Sequence, residues 1–180
     1  MQTKILNSDK KGIKTAALQL RHGKLVAFPT ETVYGLGANA YANEAVASIY
    51  AAKRRPNFNP LIVHFNNIKD VKQQVVWNEW SEKLAASFWP GAVTFILKRT
   101  KNCKLSFLVS AGLETVAVRI PSHKIAQELI KESACPIAAP SANASGKISP
   151  TTAKHVETSL GSRIPYIING GSCPIGLEST

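Results

Sequence analysis

The chain has 180 residues, 44% of them hydrophobic, which suits one domain with a full core. Its 22 Lys and Arg against 11 Asp and Glu leave a formal charge of +11, so nucleotides, phosphates and nucleic acid lead the candidate partners, although a basic solvated surface carries the same charge. Three scattered cysteines, Cys103, Cys135 and Cys173, argue against a disulfide framework or a zinc site; with no signal-like N-terminus and no apolar run of membrane length, the expectation is a soluble, cytoplasmic protein.

Ser8 or Asp9 can cap a helix running to about His22, with Ile13, Ala17 and Leu20 on one face and Gly23 as its stop. "KLVAF" follows as a strand, and "NEAVASIYAAK" groups Val46, Ile49 and Tyr50 at helical spacing before the strand "LIVHF". A second helical region brings Trp77, Trp80, Leu84 and Phe88 near one stripe, which reads as core rather than as a platform for stacking bases. "AVTFILK" and "TVAVRI" read as strands, and "HKIAQELIKE" as a helix with Ile125, Leu129 and Ile130 on one face. "CPIAAP" is a short strand, "TTAKHVETSLG" a short helix and "YIING" a last strand. Interleaved helices and strands predict a single α/β domain spanning residues 1 to 180.

Polar segments recur at the strand ends, where α/β proteins gather ligands. "PTETVYGLG" offers the hydroxyls of Thr30, Thr32 and Tyr34 around one carboxylate, Glu31, with Gly35 and Gly37 expected to free the backbone. It suits a small zwitterion, or it is a turn whose threonines satisfy their own backbone. "KRRPNFNP" carries Lys53, Arg54 and Arg55 with Asn59, a set suited to a triphosphate or to a solvated surface. His64 sits in an apolar strand, where a satisfied core histidine is the commoner case. Arg119 closes another apolar strand and needs a partner, either an anionic substrate group or a carboxylate such as Glu114 or Glu31. "PSANASGKISPTT" packs Ser141, Asn143, Ser145, Ser149 and Thr151 around Gly146 and Lys147 as a phosphate cradle. A Walker loop and a dinucleotide fingerprint are both absent.

Taken together and in this order, "PTETVYGLG", "AAKRRPNFNPLIVH", "WPGAVTFIL", "TVAVRIPSH" and "APSANASGKISPTT" resemble the YrdC family of threonylcarbamoyl-AMP synthases, from about Leu25 to Thr180. The resemblance implies a YrdC-like fold, a twisted mixed sheet with surrounding helices and a large basic cavity. It implies a nucleotidyltransferase that joins L-threonine, bicarbonate or carbon dioxide, and ATP into L-threonylcarbamoyl-AMP with release of pyrophosphate. A threonylcarbamoyl transferase complex would then modify the adenosine beside the anticodon of tRNA. Carried over by position, Thr32, His64 and Arg119 are implied threonine contacts. Lys53, Arg55, Asn59, Thr115, Ser141, Asn143, Ser149 and Ser179 are implied ATP contacts, with Lys53 and Arg55 the catalytic pair. Mg2+ is expected to arrive with ATP, without a metal site of the protein's own.

Two departures stand out. This chain has "KRRP" where the family often shows "KGRP", and it stops at "GLEST" where longer relatives continue, so it is read as either naturally short or a fragment. Two other readings remain. One is a module binding double-stranded RNA or tRNA without catalysis, which would explain the charge. The other is a carbamoyl-transfer domain of the hydrogenase-maturation kind.

Overall fold

A computed structural model describes residues 2 to 56 and 58 to 180. One eight-stranded mixed sheet organises the chain: β1 (Lys4–Asn7), β2 (Val26–Phe28), β3 (Gly35–Asn39), β4 (Ile62–His64), β5 (Phe95–Lys98), β6 (Thr115–Arg119), β7 (Ile137–Ala138) and β8 (Tyr166–Asn169). Their spatial order is β1-β8-β2-β3-β7-β4-β6-β5. The successive pairs β2-β3, β3-β7 and β7-β4 are antiparallel, as is β6-β5, while β1, β8 and β2 are parallel, as are β4 and β6. The architecture matches the expected α/β class.

Helices α1 (Lys10–Arg21) and α5 (Lys124–Ser133) pack together on one face of the sheet. The side chain of Asp9 caps α1 by accepting from the Gly12 N–H at 2.7 Å, and Gly23, at φ +73, closes it. Its buried stripe, Ile13, Ala16, Ala17 and Leu20, meets Ala126, Leu129 and Ile130 of α5 over Val26 and Phe28 of β2. On the opposite face, α2 (Asn43–Lys53) and α6 (Ala153–Leu160) join a larger cluster with Tyr34, Leu36, Val63 and Val118. Strand β2 is buried at every position, as befits a strand covered on both faces.

Helices α3 (Ile68–Gln74) and α4 (Glu79–Phe88) flank the β5 edge. Here the stripe expected in the core is not there: Trp80 is 73% exposed, and Leu84 and Phe88 are exposed as well. Trp89, just past the helix, is buried and stacked on Phe95 at 4.2 Å, and of the expected stripe Trp77 alone packs against the core beside it. Helical spacing predicts which side chains share a face, but not whether anything covers that face. Besides a 3-10 turn at Phe107–Ser110, three elements were not expected from the sequence. Strand β1 is short and largely exposed, α3 is polar, and β3 is the glycine-rich "GLGAN". No helix among the described residues is long and apolar enough to cross a membrane.

Candidate active site

The site begins where β2 ends. After Phe28 the chain leaves the sheet at Pro29 and turns on Thr30, whose Oγ1 accepts from the N–H groups of Thr32 and Val33 and donates to the Val33 carbonyl at 2.7 Å. Thr30 therefore does satisfy its own backbone. The chain then returns as β3, with Gly35 opposite Phe28. Gly35 and Gly37 lie in this strand and are not among the residues with positive φ, so backbone freedom is not their purpose. What they provide is room: a Cβ on Gly37 would lie 2.8 Å from both Ile137 Cγ2 and Phe28 Cε1.

Two more segments close on this turn. The loop after β7 runs alongside it, through hydrogen bonds from Leu36 N to Pro140 O, Ala142 N to Tyr34 O and Tyr34 N to Pro150 O, each 2.8 Å. A C-terminal strap, residues 171 to 180, crosses it, with Ile175 N on Glu31 O and Gly176 N on Thr32 O at 3.0 Å. The Tyr34 hydroxyl donates to Gly171 O at 2.8 Å, so it anchors the strap and does not line the site as expected.

Between these segments lies a cleft of about 160 Å3. Thr30, Thr32, Arg55, His64, Arg119, Ser141, Glu178 and Ser179 all line it. Arg119 is buried, and of the alternatives open for its partner the structure selects Glu31, at 2.6 Å. The guanidinium also donates to Thr32 Oγ1 and Gly91 O, each at 3.0 Å. Burial raises the Glu31 pKa, but the charge and hydrogen bond of Arg119, aided by backbone N–H groups, outweigh it and leave the carboxyl below its usual range. His64 follows Val63 at the end of β4, beside Arg119 in register. Its burial, with the nearby Arg119 charge, pushes its pKa down to about 3, so the ring is neutral.

The basic residues divide. Arg55 faces the cleft and folds its guanidinium onto the carbonyls of Asn59 and Pro60, at 3.4 and 3.1 Å. Lys53 does not line the cleft. It is 1% exposed, and its ammonium donates to the carbonyls of Ser141 and Asn143, with Asn143 Oδ1 at 3.4 Å. The lysine expected to face phosphates thus pins the neighbouring loop from below. Burial first, then the Arg55 charge, lowers its pKa to about 8.

Asn143 shares that buried position and donates to Lys147 O. Ser149 donates to Glu178 and, like Asn59, stands outside the cleft wall. Thr115 stands outside it too, two residues before Ala117, the partner of cleft-lining Ile62. Asn57 of "KRRPNFNP" lies outside the described residues. Arg54 takes the left-handed conformation at φ 51, ψ 42, where it caps α2. The ionised residues lining the cleft are two arginines and Glu178, and Arg119 is already paired. Glu178, exposed yet part of the cleft lining, was overlooked in the sequence, where "GLEST" gives no sign of that placement.

A sequence profile of the Sua5, YciO and YrdC proteins, described as telomere recombination, matches residues 18 to 180. The chain belongs to the Sua5/YrdC family. It is 53% identical over 176 residues to a threonylcarbamoyl-AMP synthase of Bacillus subtilis, covering 97% of this chain and 51% of that protein. It is 50% identical over 171 residues to one of Pyrococcus abyssi, covering 93% and 49%. Among solved structures, P. abyssi Sua5 complexed with L-threonine superposes with a TM-score of 0.95 at 48% identity, over 99% of this chain and 53% of that one. This Sua5/YrdC chain thus spans about half the length of the curated relatives it matches. Among its described residues no group of three or more His, Cys, Asp and Glu side chains is placed to hold a metal ion.

Proposed function

We propose that this Sua5/YrdC chain makes L-threonylcarbamoyl-AMP from L-threonine, bicarbonate or carbon dioxide, and ATP, acting as a nucleotidyltransferase. One observation carries the reading: side chains suited to an amino acid, Thr32, His64 and Arg119, and side chains suited to phosphates, Arg55, Ser141 and Ser179, line a single cleft. The synthase names of its relatives favour this over RNA binding without catalysis.

At about 160 Å3 the cleft is smaller than the roughly 300–1,000 Å3 of pockets that enclose whole ligands of drug or cofactor size. The closed part would take the amino acid, and the nucleotide would lie across the mouth at Arg55, Ser141 and Ser179. Three of the five N–H groups of Arg119 are spent on Glu31, Thr32 and Gly91, leaving two for the threonine carboxylate. With Glu31 already balancing its charge, Arg119 would orient that carboxylate by hydrogen bonds rather than neutralise it outright. A neutral His64 would add no positive charge against the ammonium group.

The amine, having lost a proton to solvent, would attack the carbon of bicarbonate, and water would leave to give the carbamate. A carbamate oxygen would then attack the α-phosphorus of ATP as the bond to the β-phosphate breaks and pyrophosphate departs. No protein nucleophile is required; the task is alignment and charge stabilisation. When bound, Mg2+ would supply positive charge on the phosphates, and Glu178, Ser141 and Ser179 are the oxygen-bearing side chains nearest that role. Lys53 would contribute by fixing the Ser141 loop, and Arg55 by facing the leaving group. The product would pass to a transferase that modifies tRNA.

The test follows pyrophosphate in mixtures of the protein, ATP, bicarbonate and each amino acid in turn. Release should require threonine and bicarbonate together. Release without either, or RNA binding with no turnover, would remove the proposal.

A further inference from the structure

Charge balance in the cleft leads to a further site. Of the ionised residues lining it, Arg119 is already balanced by Glu31. What faces an incoming polyanion is therefore one guanidinium, Arg55, and one carboxylate, Glu178. Lys53 adds a charge from beneath, but its donors are spent on the carbonyls of the Ser141 loop. A bare carboxylate here should repel phosphates, since like charges a few ångströms apart cost free energy even near a surface. Glu178 forms no ion pair among the described residues, with Arg55 or with any other cation.

The strap holds Glu178 in place from both sides. Before it, Gly176 N is bonded to Thr32 O; after it, Ser179 shares a hydrogen bond with Thr94 at 2.7 Å and Thr180 N is bonded to Ala92 O. Ser149 donates to Oε1 of Glu178, and Oε2 has no protein partner among the described residues. One oxygen is oriented and the other is left available beside Ser141 and Ser179.

We propose that Glu178 is the protein's own ligand for the divalent cation that accompanies the nucleotide, its free oxygen completing the coordination supplied by the phosphates. Mg2+ is commonly held in this manner, by one or two carboxylates together with substrate phosphates rather than by an all-protein cage. The proposal rests on the reading that this cleft binds ATP.

Calorimetric titration of ATP, once with Mg2+ and once with EDTA, separates the possibilities. Relative to wild type, Glu178→Gln should bind Mg-ATP on the order of tenfold more weakly. It should bind metal-free ATP about two- to fivefold more tightly, because a repulsive charge has gone. Glu178→Lys should shift both arms further in the same directions. Ser149→Ala breaks the hydrogen bond yet keeps the carboxylate, and should preserve the preference for Mg-ATP. Manganese relaxation of solvent protons in the Mn-ATP complex gives a readout independent of turnover, and it should change in Glu178→Gln. Equal weakening in both arms, or no change in either, would mean that Glu178 only braces the strap, and would overturn the proposal. Wild type that binds ATP in neither arm would overturn the nucleotide reading along with it.

Discussion

The carboxylate of Glu31 stands 2.6 Å from the guanidinium of Arg119, with both side chains more than nine-tenths buried. Removing one partner of such a pair strands a charge away from water, which typically costs about 3–5 kcal/mol. Glu31→Gln should therefore lower the unfolding free energy by that order and weaken threonine binding, read by chemical denaturation and calorimetry. The pH sign is definite. With its folded pKa below the usual value, Glu31 contributes stability above the unfolded carboxylate pKa, and loses it as pH falls through the folded one.

His64 should dominate the next part of the acid limb. Its folded pKa is about 3 against an ordinary 6.5, so between those values the unfolded chain binds more protons than the folded one. Stability should fall as pH drops from 6.5 toward 3. In His64→Gln that fall should be visibly shallower, as urea midpoints at pH 7, 5 and 4 would report. Parallel curves for the two proteins would contradict the assignment.

Lys53 ties α2 to the loop of Ser141 and Asn143, so its loss should not leave the fold intact, as a purely phosphate-facing lysine would. Lys53→Met should cost about 1–3 kcal/mol through carbonyls left without a donor, and it should impair turnover as well. A variant with wild-type melting and lost turnover would restore the phosphate-facing role. Because its folded pKa of about 8 lies below the ordinary 10.5, this lysine's contribution to stability should rise as pH climbs between those values.

Arg54 occupies a conformation that glycine adopts freely. Arg54→Gly should relieve left-handed strain worth about 1–2 kcal/mol, offset in part by the greater freedom of glycine in the unfolded chain. The expected outcome is a slightly higher melting temperature.

How far the sequence could be read depended on the range of the interactions involved. The α1 stripe, its Asp9 cap and its Gly23 stop were all legible, because each is settled within a few residues of itself. The gathering of Thr32, Arg119 and Ser141 followed from polar segments recurring at strand ends, whereas His64 and Ser179 entered through the family resemblance alone. The exposed Trp80 face was misread because periodicity sorts residues onto faces without saying what covers them. "GLGAN" escaped notice as a strand because its glycines carry no apolar signal; their reason lies in Phe28 and Ile137 across the sheet.

By itself the sequence determined the α/β order of elements, the family likeness and the loops that form the cleft, since patterning and turn chemistry act over short distances. Only the tertiary structure decided that Arg119 takes Glu31 as its partner, that Lys53 spends its donors on a loop about ninety residues away, and that Glu178 joins the cleft lining. Whether a charged group is free or committed depends on contacts between distant segments, and no local pattern encodes them.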